Sequence, residues 1–158
     1  MASRRIVTEE IEGRSRVASD GPISPAQHWQ EIWTTSSASP LGIAQSDPIA
    51  SLDLSPGTTA WRLFEVPPDE EVRRLQAEAA SAAEDSDLVP LDSDGFHQTH
   101  TVDFIYLLEG RLVLELDESA VDLEPGDFVV QRSTNHAWRN PTDQPAKVLG
   151  VMMGVAPA

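Results

Sequence analysis

The sequence contains no cysteine, which excludes disulfides, thiolate metal ligands, iron–sulfur clusters and a cysteine nucleophile together. Positive charge is scarce: 11 Lys and Arg stand against 26 Asp and Glu, a formal net charge of −15 at pH 7. So acidic a surface repels phosphate backbones and anionic headgroups, so neither nucleic acid nor membrane is expected as a partner. Its plain physical effect is solubility. No apolar run approaches the roughly 18 residues that a bilayer-spanning helix needs. The stretch Met1–Glu10 has basic residues but no apolar segment behind them, so it does not read as a signal peptide, and the cytoplasm is the expected location. Neither a helix-turn-helix pattern nor a basic patch is present, which counts against a DNA-reading sensor. No heptad pattern or internal repeat is visible.

What is present suffices for a core. The chain has 158 residues, 40% of them hydrophobic, which fits a single domain over 1–158. Twelve prolines and nine glycines punctuate short apolar runs, the spacing of a protein built from many short strands. Residues 4–8 and 14–18 are expected to pair as a hairpin around Glu12-Gly13, followed by turn chemistry over 19–26. A strand over 28–35 carries Trp29, Ile32 and Trp33, and His28 beside it reads as structural or interfacial. Residues 36–57, rich in Ser, Pro and Asp, read as a surface loop with a short strand near Ile49–Leu54. Thr58–Val66 is a stronger strand, with Thr, Trp and Phe suited to a pleated surface.

One helix is expected over 69–83. Pro67-Pro68 stops the strand, and Asp69-Glu70-Glu71 places acids where the helix dipole favours them. Val72, Leu75, Ala79 and Ala82 form a thin stripe at helical spacing, so this helix packs lightly over the barrel. The acidic stretch 84–95 lacks the ligand spacing of an EF-hand and reads as a solvated loop.

From residue 97 short strands follow in quick succession. Val102–Leu108 and Arg111–Leu116 are joined at Glu109-Gly110, where glycine supplies the turn's dihedrals. Val121–Leu123 runs into Glu124-Pro125-Gly126-Asp127, a type II turn. Phe128–Gln131, His136–Arg139 and Lys147–Met153 complete the series, and the motif-bearing core is assigned to 97–153. Such a run specifies an all-β sandwich or barrel.

Parity selects the candidate site. Alternate side chains of an extended chain face the same way, so His97, Thr99, Thr101 and Asp103 share one face and His100 the other. His136, Trp138 and Asn140 share a face likewise. His97, Asp103 and His136 are the candidate metal ligands, with Thr99, Trp138 and Asn140 lining the substrate pocket. A carboxylate inside the apolar strand around Asp103 is costly to bury alone, so Arg132, Arg139 or a metal is expected beside it. Trp138 serves equally as pocket wall or core, and Tyr106, of opposite parity to Asp103, is expected outside.

These residues resemble the two motifs of the cupin superfamily. In the first, His97 stands in the first-histidine place, Thr99 in the second, Asp103 in the glutamate place and Gly110 at the closing glycine. In the second, Pro125-Gly126-Asp127 matches the opening turn, and His136 with Asn140 the closing pair. Thr99 replaces a histidine, Asp103 a glutamate, and Gln131-Arg132-Ser133 the Pro and Gly usual before the second-motif histidine. His100 would replace the lost ligand only through a bulge that reverses its direction.

The resemblance implies a double-stranded β-helix (jelly-roll) barrel with an N-terminal strand extension, and a homodimer in which Trp29, Ile32 and Trp33 suit the interface. It implies one divalent metal, Fe, Mn, Zn or Ni, since two imidazoles and one carboxylate accept several ions. The expected activity is a metal-dependent lyase, a dehydratase or decarboxylase, acting on a small organic acid or polyketide-like metabolite. The metal would polarise a substrate oxygen and stabilise an enolate. An Fe(II) dioxygenase suits the same ligands. A binding module without metal or catalysis is the remaining reading, which Thr99 supports.

Overall fold

A computed structural model describes residues 4–23, 29–39, 51–82 and 94–156. His28, and residues 84–93 of the acidic loop, lie outside the described residues. The first two strands, β1 (Arg4–Ile11) and β2 (Arg14–Pro22), pair with each other alone. Their two-residue turn has positive φ at both Glu12 (53°) and Gly13 (74°), the twist that suits a tight hairpin. The strands run longer than the pattern of the sequence suggested. Their side chains are mostly exposed, and Arg5 ties the hairpin to the body by donating to the Ile32 carbonyl (3.0 Å) and lying over the Trp33 ring.

Eight further strands form two sheets. The larger contains β3 (Trp29–Ser36), β4 (Thr58–Val66), β5 (Thr101–Glu109), β8 (Phe128–Arg132) and β10 (Ala146–Gly154), in the order β3-β4-β10-β5-β8. The smaller contains β6 (Leu112–Leu116), β7 (Ala120–Leu123) and β9 (His136–Arg139), in the order β7-β6-β9. All pairings are antiparallel. Ile105, Leu107, Ala146 and Val148 of the larger sheet pack with Leu112, Leu114 and Leu123 of the smaller, so the core lies between the two layers. That is the expected jelly-roll arrangement.

The turns occur where the sequence places them. Gly110 has φ 85°, and a Cβ there would stand 2.8 Å from Ala146, so both dihedral and close approach require glycine. Asp127 N donates to the Glu124 carbonyl (3.1 Å) with Gly126 at φ 105°, which closes the expected type II turn. Helix α1 (Asp69–Ala82) also forms, with its acidic first turn. Its start is tied to the end of β9 by reciprocal bonds between Asp69 and Asn140. Leu75 stays 48% exposed, in keeping with light packing.

Two expectations are corrected. Of the strand expected near Ile49–Leu54, residues 49–50 lie outside the described residues and 51–54 are irregular with bends at 52–53, although Leu54 is buried against Ala60 and Met152. Trp29 is not available to an interface, because it faces inward at 6% exposure.

Candidate functional site

Between the sheets lies a cavity of about 270 Å³. Its walls are mainly apolar, including Trp29, Phe64, Ile105, Trp138 and Met152, while His97, Thr99, Asp103, Gln131 and His136 supply the polar side. The predicted residues His97, Thr99, Asp103, His136 and Trp138 therefore meet at one place.

Backbone pairing positions the histidines. His97 and His136 form an isolated antiparallel bridge, each amide donating to the other's carbonyl at 2.9 and 3.0 Å. Directly opposed residues point the same way. Their rings stand 4.2 Å apart between centroids. Parity also holds on the outside: His100 is exposed, and its ring lies 3.4 Å from Asp53. No bulge turns His100 inward, so it does not take the place left by Thr99, whose hydroxyl instead bonds that of Thr101 (2.7 Å).

Gln131 links the remaining groups. It is the register partner of Asp103 across β5 and β8, and its Nε2 lies 3.3 Å from Asp103 Oδ2 and 2.9 Å from His136 Nε2. His136 Nδ1 stands 2.8 Å from the Thr134 carbonyl, which only accepts, so Nδ1 carries the proton. The Nε2 lone pair then accepts from the Gln131 amide. Burial lowers the His136 pKa to about 4, so the ring is neutral near pH 7. Burial raises the Asp103 pKa; the hydrogen bond from Thr101 and the charges of His97 and Arg62 pull it back. The expected Arg132 or Arg139 beside Asp103 is not found. Arg139 pairs with Glu115 (2.6 Å), Arg132 is exposed, and Arg62 is the arginine whose charge reaches Asp103.

Arg62, together with Glu31, was not foreseen from the sequence. The pair is 0% and 6% exposed at 2.8 Å. Glu31 also accepts from Trp29 Nε1 and the Thr34 hydroxyl, while Arg62 donates to the Ser51 carbonyl and lies 4.5 Å over the Trp29 ring. The available signal was parity: Arg62 alternates in step with Ala60 and Phe64 along β4, so it must point inward. Asn140 is the reverse case. Its amide donates to the Val66 and Gln144 carbonyls, and its Oδ1 accepts from Thr142, so it fastens a turn and does not line the cavity.

Of the three buried side-chain oxygens without a hydrogen-bond partner among the described residues, Gln30 Oε1 does not belong to this wall, and Asp103 Oδ1 and Gln131 Oε1 do. Both only accept, and such orphans are expensive unless a proton, water or cation meets them. Among the described residues no three His, Asp or Glu side chains gather closely enough to hold an ion by themselves. With Gln131 counted, the wall presents imidazole nitrogen and hard oxygen donors together, a set that fits a divalent ion.

Residues 87–152 match the family model described as "Cupin domain". A 64-residue stretch, 39% of this chain, is 44% identical to Oryzines biosynthesis cluster protein J of Aspergillus oryzae and covers 36% of that protein. Phomopsin biosynthesis cluster protein D of Diaporthe leptostromiformis is 43% identical over 56 residues, 34% of this chain and 29% of that protein. The chain thus matches about a third of the length of these curated relatives. Among solved structures, the Schizosaccharomyces pombe Cnp3 cupin domain is similar with a TM-score of 0.49 and 10% identity, over 95% of this chain and 88% of that one. Motifs, two-sheet architecture and family match agree on a cupin domain over residues 87–152.

Proposed function

We propose that this protein is a metal-dependent lyase, a dehydratase or decarboxylase, acting on a small organic acid or polyketide-like metabolite. The observation that carries the reading is the convergence of His97, His136, Asp103 and Gln131 on one wall of an otherwise apolar cavity. At about 270 Å³ the space is near the small end of ligand pockets, which suits a compact metabolite. Two relatives carry names from fungal biosynthesis clusters, which supports a role in secondary metabolism.

His97, Asp103 and His136 are the proposed metal ligands, and the ion, when bound, supplies a Lewis acid for a substrate oxygen. The rest follows from the chain itself. Trp29, Phe64 and Trp138 give the cavity apolar walls, against which charge interactions are stronger than in open water. The Thr99 hydroxyl offers a donor or acceptor on the cavity wall. Asp103 would meet the ion as a carboxylate, which the cation would stabilise against the cost of burial.

The test is metal analysis of protein purified without chelator, beside a His97→Ala/His136→Ala variant. About one ion per wild-type chain and little in the variant is the expected result; equal trace amounts in both would end the metalloenzyme reading. The two-histidine-one-carboxylate set suits an Fe(II) dioxygenase as well. Turnover under strict anaerobiosis supports the lyase, and an absolute need for oxygen overturns it in favour of the dioxygenase.

We also propose that the protein works as a homodimer, through the outer face of the larger sheet. Trp61, Phe104, Phe128, Val130 and Met153 are 43%, 47%, 79%, 59% and 41% exposed on adjoining strands, with Val151 between Trp61 and Phe104 in register. At about 150–250 Å² per large side chain, this face exposes on the order of 500 Å², a large part of the roughly 800 Å² each partner of a stable pair buries. Among the described residues of this face charges stand toward its ends, at Glu65, Lys147, Glu109 and Arg132, which spares a second copy of an acidic chain direct repulsion at the centre. Light scattering should give twice the 17.2 kDa chain mass, and a Phe128→Glu/Val130→Glu variant half of that. A monomeric wild type overturns it.

A further inference from the structure

We propose that Gln131 is itself a metal ligand through Oε1, taking the coordination place that Thr99 leaves empty; this rests on the metal-dependent reading above. The amide group stands 2.9 Å from His136 Nε2 and 3.3 Å from Asp103 Oδ2. Adjacent ligands of an octahedral ion at about 2.1 Å are separated by about 3.0 Å, so the amide of Gln131 stands at ligand spacing from each of the other two groups.

In the structure the nitrogen end of the amide faces inward. Its two N–H groups meet the lone pair of His136 Nε2 and the carboxylate of Asp103, while Oε1 is turned away and left without a partner. A half-turn about the terminal torsion exchanges oxygen and nitrogen at nearly the same positions. That torsion is broad and two-fold, so the exchange needs no movement of the strand. The oxygen would then face two electron-rich groups, an arrangement that a cation between them makes favourable. The amide hydrogens thus stand in for the ion when it is absent, and the amide oxygen binds it when present.

The same exchange accounts for what is otherwise unexplained here. A buried strand glutamine with an unpartnered oxygen, beside an aspartate with another, is poor economy for a structural hydrogen bond. A hydroxyl at Thr99 is a weak ligand and is engaged with Thr101. Gln131 in β8 approaches the same space from the neighbouring strand, so the ligand lost from one motif is restored from a position outside both motif histidines.

The test uses Co²⁺ as probe, read by calorimetry and by its visible ligand-field bands, on apo wild type, Gln131→Met and Gln131→Glu. Methionine keeps the bulk and removes the oxygen; glutamate keeps the oxygen and adds charge. Wild type should bind one Co²⁺ per chain, Gln131→Met at least ten-fold more weakly with altered bands, and Gln131→Glu at least as tightly as wild type. Circular dichroism and thermal melts of the apo proteins establish folding. If Gln131→Met does not fold, Gln131→Glu decides: weaker binding than wild type overturns the assignment. Equal affinity and identical bands in wild type and Gln131→Met overturn it while leaving the metal-dependent reading intact. A wild type that takes up no Co²⁺, Fe²⁺, Mn²⁺, Ni²⁺ or Zn²⁺ overturns both.

Discussion

The buried pair of Arg62 and Glu31 gives the sharpest energetic prediction. Replacing Glu31 with leucine leaves a guanidinium that is 0% exposed without the carboxylate 2.8 Å from its Nε. The Ser51 carbonyl, the Met152 sulfur and the Trp29 ring remain beside it without a full negative charge, and Asp103 acts on it more weakly than Glu31 does. Burial already depresses the Arg62 pKa, and Glu31 opposes that shift most strongly, so the carboxylate is the main compensation for lost hydration. Removing one partner of a buried pair costs about 3–5 kcal/mol, whereas replacing both by apolar groups is often nearly neutral. At about 2–4 °C per kcal/mol for a domain of this size, Glu31→Leu should lower Tm by roughly 10 °C. Glu31→Leu/Arg62→Met should recover most of that loss. Urea unfolding of the two single variants, the double variant and wild type closes a double-mutant cycle, and a coupling of about 3 kcal/mol is expected. A Glu31→Leu variant within about 1 kcal/mol of wild type, or a double variant as unstable as the sum of the singles, would refute this account.

Further predictions concern pH, a turn and a tether. His136 has a pKa of about 4 when folded, against 6.5 for a free histidine, so the unfolded chain binds the extra proton between those values. Stability of the apo protein from this group is complete above about pH 6.5 and falls by about 3 kcal/mol as pH drops through about 4; the raised Asp103 pKa works in the opposite sense. Unfolding curves at stepped pH should show the loss, and His136→Gln should flatten it; an unchanged slope in that variant rejects the assignment. Gly110→Ala should cost about 2 kcal/mol or more, because a Cβ at φ 85° meets the Ala146 backbone; an unaltered Tm would show that the turn relaxes freely. Asn140→Ala should cost about 3 kcal/mol by orphaning the Val66 and Gln144 carbonyls, with metal content unchanged. Reduced metal content at unchanged stability would return Asn140 to the cavity.

The strand series, the turns at Glu12-Gly13, Gly110 and Pro125-Gly126, and the helix over 69–82 were legible because each rests on local chemistry. Positive dihedrals demand glycine or its near equivalents, and short apolar runs between turn residues leave few alternatives to strands. Parity, also local, separated His97 from His100, since a straight strand cannot send both inward. Only tertiary structure could decide what those side chains meet. Gln131 reads in sequence as one more polar strand residue, and its importance comes from the register that sets it opposite Asp103. Arg62 and Glu31 sit on different strands, 31 residues apart, so nothing local announces their pairing. Asn140 shares a face with His136 on paper, yet the chain turns at the end of β9 and spends its amide on that turn. Sequence determined which residues can point into a barrel; the pairing of distant strands decided which of them share the cavity, because hydrogen-bond register is a property of two segments and never of one.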